Sequence, residues 1–297
     1  MELPLSHPAP LKERLASYLN LMKPHVTVLL LGTTLAAMVI AQRGFPSLGL
    51  VLATLLGGAL AAGSANSINC YWDRDIDQIM SRTQRRSLPA GRVQPTHALI
   101  FGLTLGLLSF AVLALWVNLL SAALALSAIL FYVLIYTVWL KRTSAQNIVI
   151  GGAAGAVPVL VGWAAVTGRL DLAAWWMFFI IFLWTPPHFW ALALLLKKDY
   201  ARAHIPMLPV VVGELETKKQ IVLYSCLLLA ASLVLFAMQA MGWFYLASAI
   251  ALGGGLLFLA LRLWRETDLR SARTLFWYSN LYLALIFAAM VVDRVIF

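Results

Sequence analysis

Read for its apolar and polar positions, the chain is a series of long apolar runs separated by polar breaks. The runs fall at 24–42, 47–68, 96–117, 119–140, 147–167, 173–196, 219–240, 242–264 and 275–296. Each approaches or exceeds the roughly 20 residues that a helix needs to cross a bilayer. They are continuous rather than alternating, which excludes a transmembrane β-barrel. Pro24, directly after Lys23, suits the first turn of the first span. The pattern predicts an all-α polytopic membrane protein of about nine spans, with a polar lead-in over 1–23 and a single transmembrane domain over 24–297.

Composition agrees with the pattern. The chain is 62% hydrophobic and 11% charged, with a mean hydropathy of +0.86, more apolar surface than a soluble domain of this size can bury. With the N-terminus in the cytoplasm, 19 of the 22 Lys and Arg residues fall in inside segments. Only Arg43, Arg169 and Arg294 fall outside, a strong positive-inside bias. The net charge of +10 therefore reads as topology, and no nucleic-acid partner is expected. The two cysteines, Cys70 and Cys226, read as small apolar fillers rather than a disulfide. The N-terminus, with Pro4, Pro8 and Pro10, resembles neither a cleaved signal nor a transit peptide, so a bacterial cytoplasmic membrane is the expected home.

Two inside breaks are long enough to hold chemistry, 69–95 and 197–219, and they are expected to form one active-site face. The first begins NCYWDRDIDQIM. Continued as a helix, Asn69, Asp73 and Asp77 stand at i, i+4 and i+8, each step drifting only about 40° around the axis and rising about 6 Å. An amide and two carboxylates on one face suit a hard cation such as Mg²⁺, which keeps places for water and phosphate oxygens. Asp73 is expected to be solvated near the surface, whereas Asp75 points away. Arg74, Arg82, Arg85, Arg86 and Arg92 share the break, and guanidinium forks match phosphate geometry. Metal-binding carboxylates beside arginines read as a diphosphate site; the competing reading is a solvated basic loop.

The second break starts Lys197-Lys198-Asp199-Tyr200-Ala201-Arg202. Asp199 is placed to complete the site opposite Asp73 and Asp77, with Lys197, Lys198, Tyr200 and Arg202 as anion contacts. Both breaks carry an Asp followed by a Leu-Pro pair (Leu88-Pro89 and Leu208-Pro209), which suggests a parallel repeat with a site between its halves. Within the sixth span, Thr185-Pro186-Pro187-His188 predicts a kinked helix and a pocket wall, since prolines free backbone carbonyls. His188 is a candidate ligand there, against an interhelical hydrogen bond as the plainer role. Tyr132 and Tyr136, one turn apart, read as packing, and Gln146 and Asn147 as a cap or cavity lining. His25, His97 and His204 lie near interfaces, where histidine is ordinary.

Together these stretches resemble the UbiA superfamily of intramembrane prenyltransferases. Asn69-x-x-x-Asp73-x-x-x-Asp77 after the second of nine spans is similar to the superfamily's first aspartate motif. Lys23-Pro24-His25-Val26-Thr27, Thr185-Pro186-Pro187-His188-Phe189-Trp190 and Pro206-Met207-Leu208-Pro209 look like its haem-farnesylating branch. That resemblance implies Mg²⁺ held by Asn69, Asp73 and Asp77, farnesyl diphosphate as donor and haem b as acceptor. It implies haem O as product, with haem A synthase or terminal-oxidase assembly downstream, and a porphyrin contact at His188. The sequence departs from the pattern at Ala203, where many members carry a second motif aspartate. It departs also at Ser87, His25 and His204, where Pro, Arg and Gly are usual. An aromatic-acid acceptor such as 4-hydroxybenzoate is the alternative within the superfamily, and a transporter or flippase the alternative outside it. The collection of charge on one face favours chemistry there over transit.

Overall fold

In the computed structural model, which describes residues 10–297, helices occupy nearly the whole chain, with no strand among the described residues. A short helix, α1 (Leu11–Leu21), precedes the first span, α2 (Pro24–Gln42). The remaining spans are α3 (Leu48–Trp72), α5 (Pro95–Trp116), α6 (Leu119–Thr143), α7 (Asn147–Thr167), α8 (Leu172–Leu195), α11 (Gly213–Ala237), α12 (Trp243–Arg265) and α13 (Arg270–Ile296). Short helices α4 (Arg74–Ile79), α9 (Lys197–Arg202) and α10 (Leu208–Val211) fill the two long breaks. The second break is shorter than the 197–219 predicted, because Glu214 and Glu216 near the N-terminal end of α11 let the helix start at Gly213. Helix α1 forms in what was read as lead-in; residues 1–9, with Pro4 and Pro8, lie outside the described residues.

The spans pack through small residues. At Gly162 of α7 a Cβ would sit 2.3 Å from the carbonyl oxygen of Thr34, so only glycine lets α2 and α7 approach this closely. Such contacts serve in a membrane, where no hydrophobic force separates helix from lipid. Large side chains face outward instead: Leu103, Leu107 and Leu115 of α5 and Phe258 of α12 are all more than half exposed, as a lipid-facing surface requires. Pro186 and Pro187 are buried within α8, which is helical from Leu172 to Leu195 through both prolines.

One stretch departs from the α-helix. Phe131–Leu140 in α6 winds as a π-helix, and Thr137 Oγ1 donates to the carbonyl of Tyr132 five residues earlier (2.9 Å). Wide turns of this kind are frequent at functional sites. This one ends at Lys141, on the end of the bundle that holds both long breaks.

Candidate active site

Asp73 ends α3 and begins α4. Its φ of −86° and ψ of 8° interrupt the helix, contrary to the continuous helix predicted. The Asp77 N–H nonetheless donates to the Asp73 carbonyl (2.8 Å), so the four-residue spacing survives the kink. Asn69, Asp73 and Asp77 are all buried, at 3%, 0% and 2% exposure. That corrects the expectation of a solvated Asp73, and the cause lies in other helices that cover it.

Asn69 is the hub. Its amide nitrogen donates to Asp73 Oδ2 (2.7 Å) and Thr137 Oγ1 (3.2 Å), and its Oδ1 accepts from Lys23 Nζ (2.8 Å). Lys141, at the end of the π-helix, is ion-paired with Asp73 Oδ2, and Arg142 lies 3.8 Å from Oδ1. Arg86 donates from one nitrogen to both oxygens of Asp77 (3.0 and 2.8 Å). Buried charges persist only with partners, and each carboxylate here has one. Burial, joined by Arg86, holds the Lys23 ammonium below the ordinary lysine value, against the pull of Cys70, Asp77 and Asp73. Burial alone would lower Arg86 as well, but Asp77 and Cys70 outweigh it and hold the guanidinium above its ordinary value. Lys23 carries φ +51°, a left-handed conformation uncommon for a residue with a Cβ, and it turns the chain from α1 into α2.

Do these residues fit Mg²⁺? No group of three or more His, Cys, Asp or Glu side chains gathers as a metal cage among the described residues. Mg²⁺ does not require one: one or two carboxylates plus waters and substrate phosphates suffice. The donor set is oxygen from two carboxylates and an amide. Asp73 Oδ1 is buried without any hydrogen bond, a lone acceptor that a hard cation would satisfy. The residues fit.

Beside the carboxylates lies a cavity of about 290 Å³ lined by Asn20, Leu21, Cys70, Arg82, Arg85, Arg86, Ser87 and Arg92. Arg86 joins it to Asp77. Arg92 reaches back to the Arg85 carbonyl (2.7 Å), and Ser87 Oγ donates to the carbonyl of Ser17, seating α1 over the loop (3.0 Å). Arg74 is not brought in: its guanidinium lies over the Tyr71 ring, 4.7 Å from the centroid, on the exposed side. Asp75 also faces outward, paired with Arg142 (2.8 Å), whose hydrogen bonds hold its carboxyl below the usual range.

The second break meets the first at one point. Asp199 accepts from Ser81 and from Arg202, and those contacts, Ser81 first, hold its carboxyl below the usual range. Tyr200 is buried within electrostatic reach of Arg82 and Arg86; burial pushes its phenol up and the two arginines oppose that. Lys197 pairs with Glu214 (3.0 Å) and Lys198 is exposed, so neither is gathered into the cluster. His204 has φ +53°, which accounts for the glycine expected at that position.

His188 stands apart, between α8 and α13. Its ring lies between Trp184 and Phe276, at centroid distances of 4.3 and 4.7 Å. Ser279 Oγ donates to the Phe276 carbonyl (2.7 Å) and must therefore accept from His188 Nδ1 (2.7 Å). That arrangement corresponds to the tautomer protonated on Nδ1, with the lone pair on Nε2. Asn147 Nδ2 donates to the Ser144 carbonyl (2.7 Å), a local capping contact.

Sequence reasoning missed Lys23, Thr137, Lys141, Arg142 and Ser81 as members of this cluster. Lys141 and Arg142 were visible only as a basic pair after a span, which topology alone explains.

The described residues form a helical bundle with a buried carboxylate face, ringed by cations at one end and adjoining an arginine-lined cavity. The family model for the UbiA prenyltransferase family matches residues 30–286. The chain belongs to that family. Its sequence is 54% identical over 286 residues to a protoheme IX farnesyltransferase of Gloeobacter violaceus, covering 96% of this chain and 94% of that one. It is 57% identical over 279 residues to the enzyme of that name from Synechocystis, covering 93% and 88%. A relative of the same name from Roseiflexus is 55% identical over 283 residues, 95% of this chain, but the chain spans only about half of its length (53%). Among solved structures, a digeranylgeranylglyceryl phosphate synthase superposes with a TM-score of 0.79 at 18% identity, covering 95% of this chain and 99% of that one. An Archaeoglobus fulgidus UbiA homologue bound to DMAPP and Mg²⁺ superposes at 0.70 and 19% identity, covering 92% and 99%. At those identities the likeness establishes the fold.

Proposed function

We propose that this chain is a Mg²⁺-dependent prenyltransferase of a bacterial cytoplasmic membrane that moves a farnesyl group from farnesyl diphosphate to a vinyl group of haem b, with addition of water, to give haem O. The observation that carries the donor half is Arg86, which grips both oxygens of Asp77 while lining the arginine cavity. It makes the carboxylate face and the anion cavity one site. The acceptor half rests on the relatives from Gloeobacter violaceus and Synechocystis, which this chain matches over most of their length.

In this reading Arg82, Arg85, Arg86 and Arg92 take the diphosphate, with Tyr200 and Asp199 closing the site from the second break. Asn69, Asp73 and Asp77 would hold Mg²⁺, which neutralises charge on the departing diphosphate. Lys141 lies beside those ligands and adds positive charge where negative charge grows, the preorganisation that lowers such barriers most, while Lys23 holds Asn69 in place. The bond between farnesyl C1 and oxygen breaks with its electron pair going to diphosphate. The vinyl group attacks C1, and water then captures the resulting porphyrin-side cation and loses a proton. Burial of the carboxylate face excludes bulk water from the allylic cation before attack. His188 offers Nε2 to the porphyrin, held in its tautomer by Ser279, the arrangement that usually orients a ligating imidazole. Haem O would then pass to haem A synthase or to terminal-oxidase assembly.

The test is mass analysis of haem extracted from membranes carrying the protein, after incubation with haem b, farnesyl diphosphate and Mg²⁺. A haem heavier by farnesyl plus water, absent when EDTA is added, is the expected result. Unmodified haem with prenylated 4-hydroxybenzoate in a parallel incubation would move the acceptor, and no product in either would return the transporter reading.

A further inference from the structure

The end of the bundle opposite the aspartates holds a second cavity, larger than the first at about 510 Å³. It lies where the C-terminal ends of α2 and α13 meet the turn between α11 and α12. Of the three cations on that face, Arg169 is neutralised by Asp171 (3.0 Å). The other two, Arg43 and Arg294, both line the cavity. They come from opposite ends of the chain and lie close enough to feel each other's charge.

Neither has a partner. Among the described residues no carboxylate forms an ion pair with Arg43 or Arg294, and no side-chain hydrogen bond leaves either guanidinium. The Nε of Arg294 is buried with nothing to receive its proton. Asp293 also lines the cavity, but its two oxygens accept the N–H groups of Gly242 and Tyr245 (2.5 and 3.0 Å) at the start of α12. Its charge is spent on a helix N-terminus, where an anion is stabilised. The α12 start and two free guanidinia thus leave the cavity electropositive, on the membrane face where positive charge is otherwise kept out. Two guanidinia face one carboxylate whose oxygens are already taken by backbone N–H groups, so the cavity keeps an excess of positive charge.

Beyond the charged groups, Gln239 adds one polar side chain to the wall and most of the remaining lining is apolar. Phe236, Ala237, Ala240, Met241 and Phe297 line it, and Phe297 stacks with Phe244 at 5.9 Å. A soluble anion would gain nothing from that surface, whereas an amphiphile would bury the first part of its tail there. We propose that Arg43 and Arg294 form a binding site for a phosphate group, carried by an anionic phospholipid of that leaflet. Guanidinium pairs suit the oxygens of one phosphate, and the occupant would tie α2, α13 and the turn before α12 together, far from the reacting groups.

The probe is phosphatidylglycerol, read by native mass spectrometry and by thermal unfolding in detergent, with phosphatidylcholine and soluble glycerol 3-phosphate in parallel. The wild type is expected to retain one more phosphatidylglycerol than R43Q/R294Q and to gain a rise in Tm that the double variant lacks. R169Q, which leaves the cavity intact, should behave as wild type, and R43K/R294K should keep the lipid if the charge is what matters. The same variant dependence with glycerol 3-phosphate alone would assign the site to free phosphate and overturn the lipid. Equal lipid counts and equal Tm gains in wild type and R43Q/R294Q, or equal gains with phosphatidylcholine, would overturn the site itself. Single variants R43Q and R294Q keep the comparison available if the double variant fails to fold.

Discussion

The two long breaks at the aspartate end hold the same kinds of residue and treat them in opposite ways. In 73–94 two of the three acids are buried against cations, Asp73 against Lys141 of α6 and Asp77 against Arg86, while Asp75 and Arg74 face outward. In 196–212 Lys197 turns away to the partly exposed Glu214, and Arg202 meets the buried Asp199 from the exposed side. Surface pairs of the second kind contribute little, about 0–1 kcal/mol. Buried pairs of the first kind are costly to form and costlier to break, so their presence implies a use beyond stability. Composition alone does not separate a binding site from a solvated loop; burial of the charge does.

That contrast can be broken most sharply at Asp73. Asp73→Asn should abolish turnover, and because it leaves Lys141 beside a neutral amide it should also destabilise the protein by about 3 kcal/mol. Adding Lys141→Gln should return much of the stability and none of the activity, measured by thermal unfolding and product formation. If the double variant regains turnover, Asp73 serves only to neutralise Lys141. Arg86→Lys comes next: with the fork lost, the KM for farnesyl diphosphate should rise tenfold or so, about 1.4 kcal/mol. His188→Ala should raise the KM for haem and spare that for the diphosphate, and the opposite split would remove the porphyrin contact. At the small end, Lys197→Ala should leave both constants within about twofold, since it breaks only an exposed pair. His204→Gly should stabilise slightly, by less than about 1 kcal/mol, because it relieves a left-handed backbone.

Much of this architecture was legible in the sequence. Apolar runs marked the spans to within a few residues over most of the chain, because length and continuity of hydrophobicity are what a bilayer selects. The Asn69, Asp73, Asp77 spacing survived as a face because the four-residue hydrogen bond persists through the kink. What could not be read was everything that arrives from elsewhere in the chain. Lys23 and Lys141 reach the aspartate face from separate helices, and the latter is aimed by a π-helix whose sequence, Phe131–Leu140, looks like any apolar span. The burial of Asp73 follows from those two lysines and Arg142, so it was invisible for the same reason. The prolines of α8 sit inside a helix that runs on past them, as a chain whose neighbours can satisfy the freed carbonyls allows.

If the buried carboxylates and the arginine cavity form one diphosphate site, both must be intact for the donor to bind. The most direct measurement is calorimetric binding of a non-cleavable thio-analogue of farnesyl diphosphate to the purified protein, with Mg²⁺ and with EDTA. Tight binding that needs Mg²⁺ is expected in the wild type and should be lost in both Asp77→Asn and Arg86→Gln, while Lys197→Ala binds normally. Binding that ignores Mg²⁺ and survives both substitutions would contradict the single site.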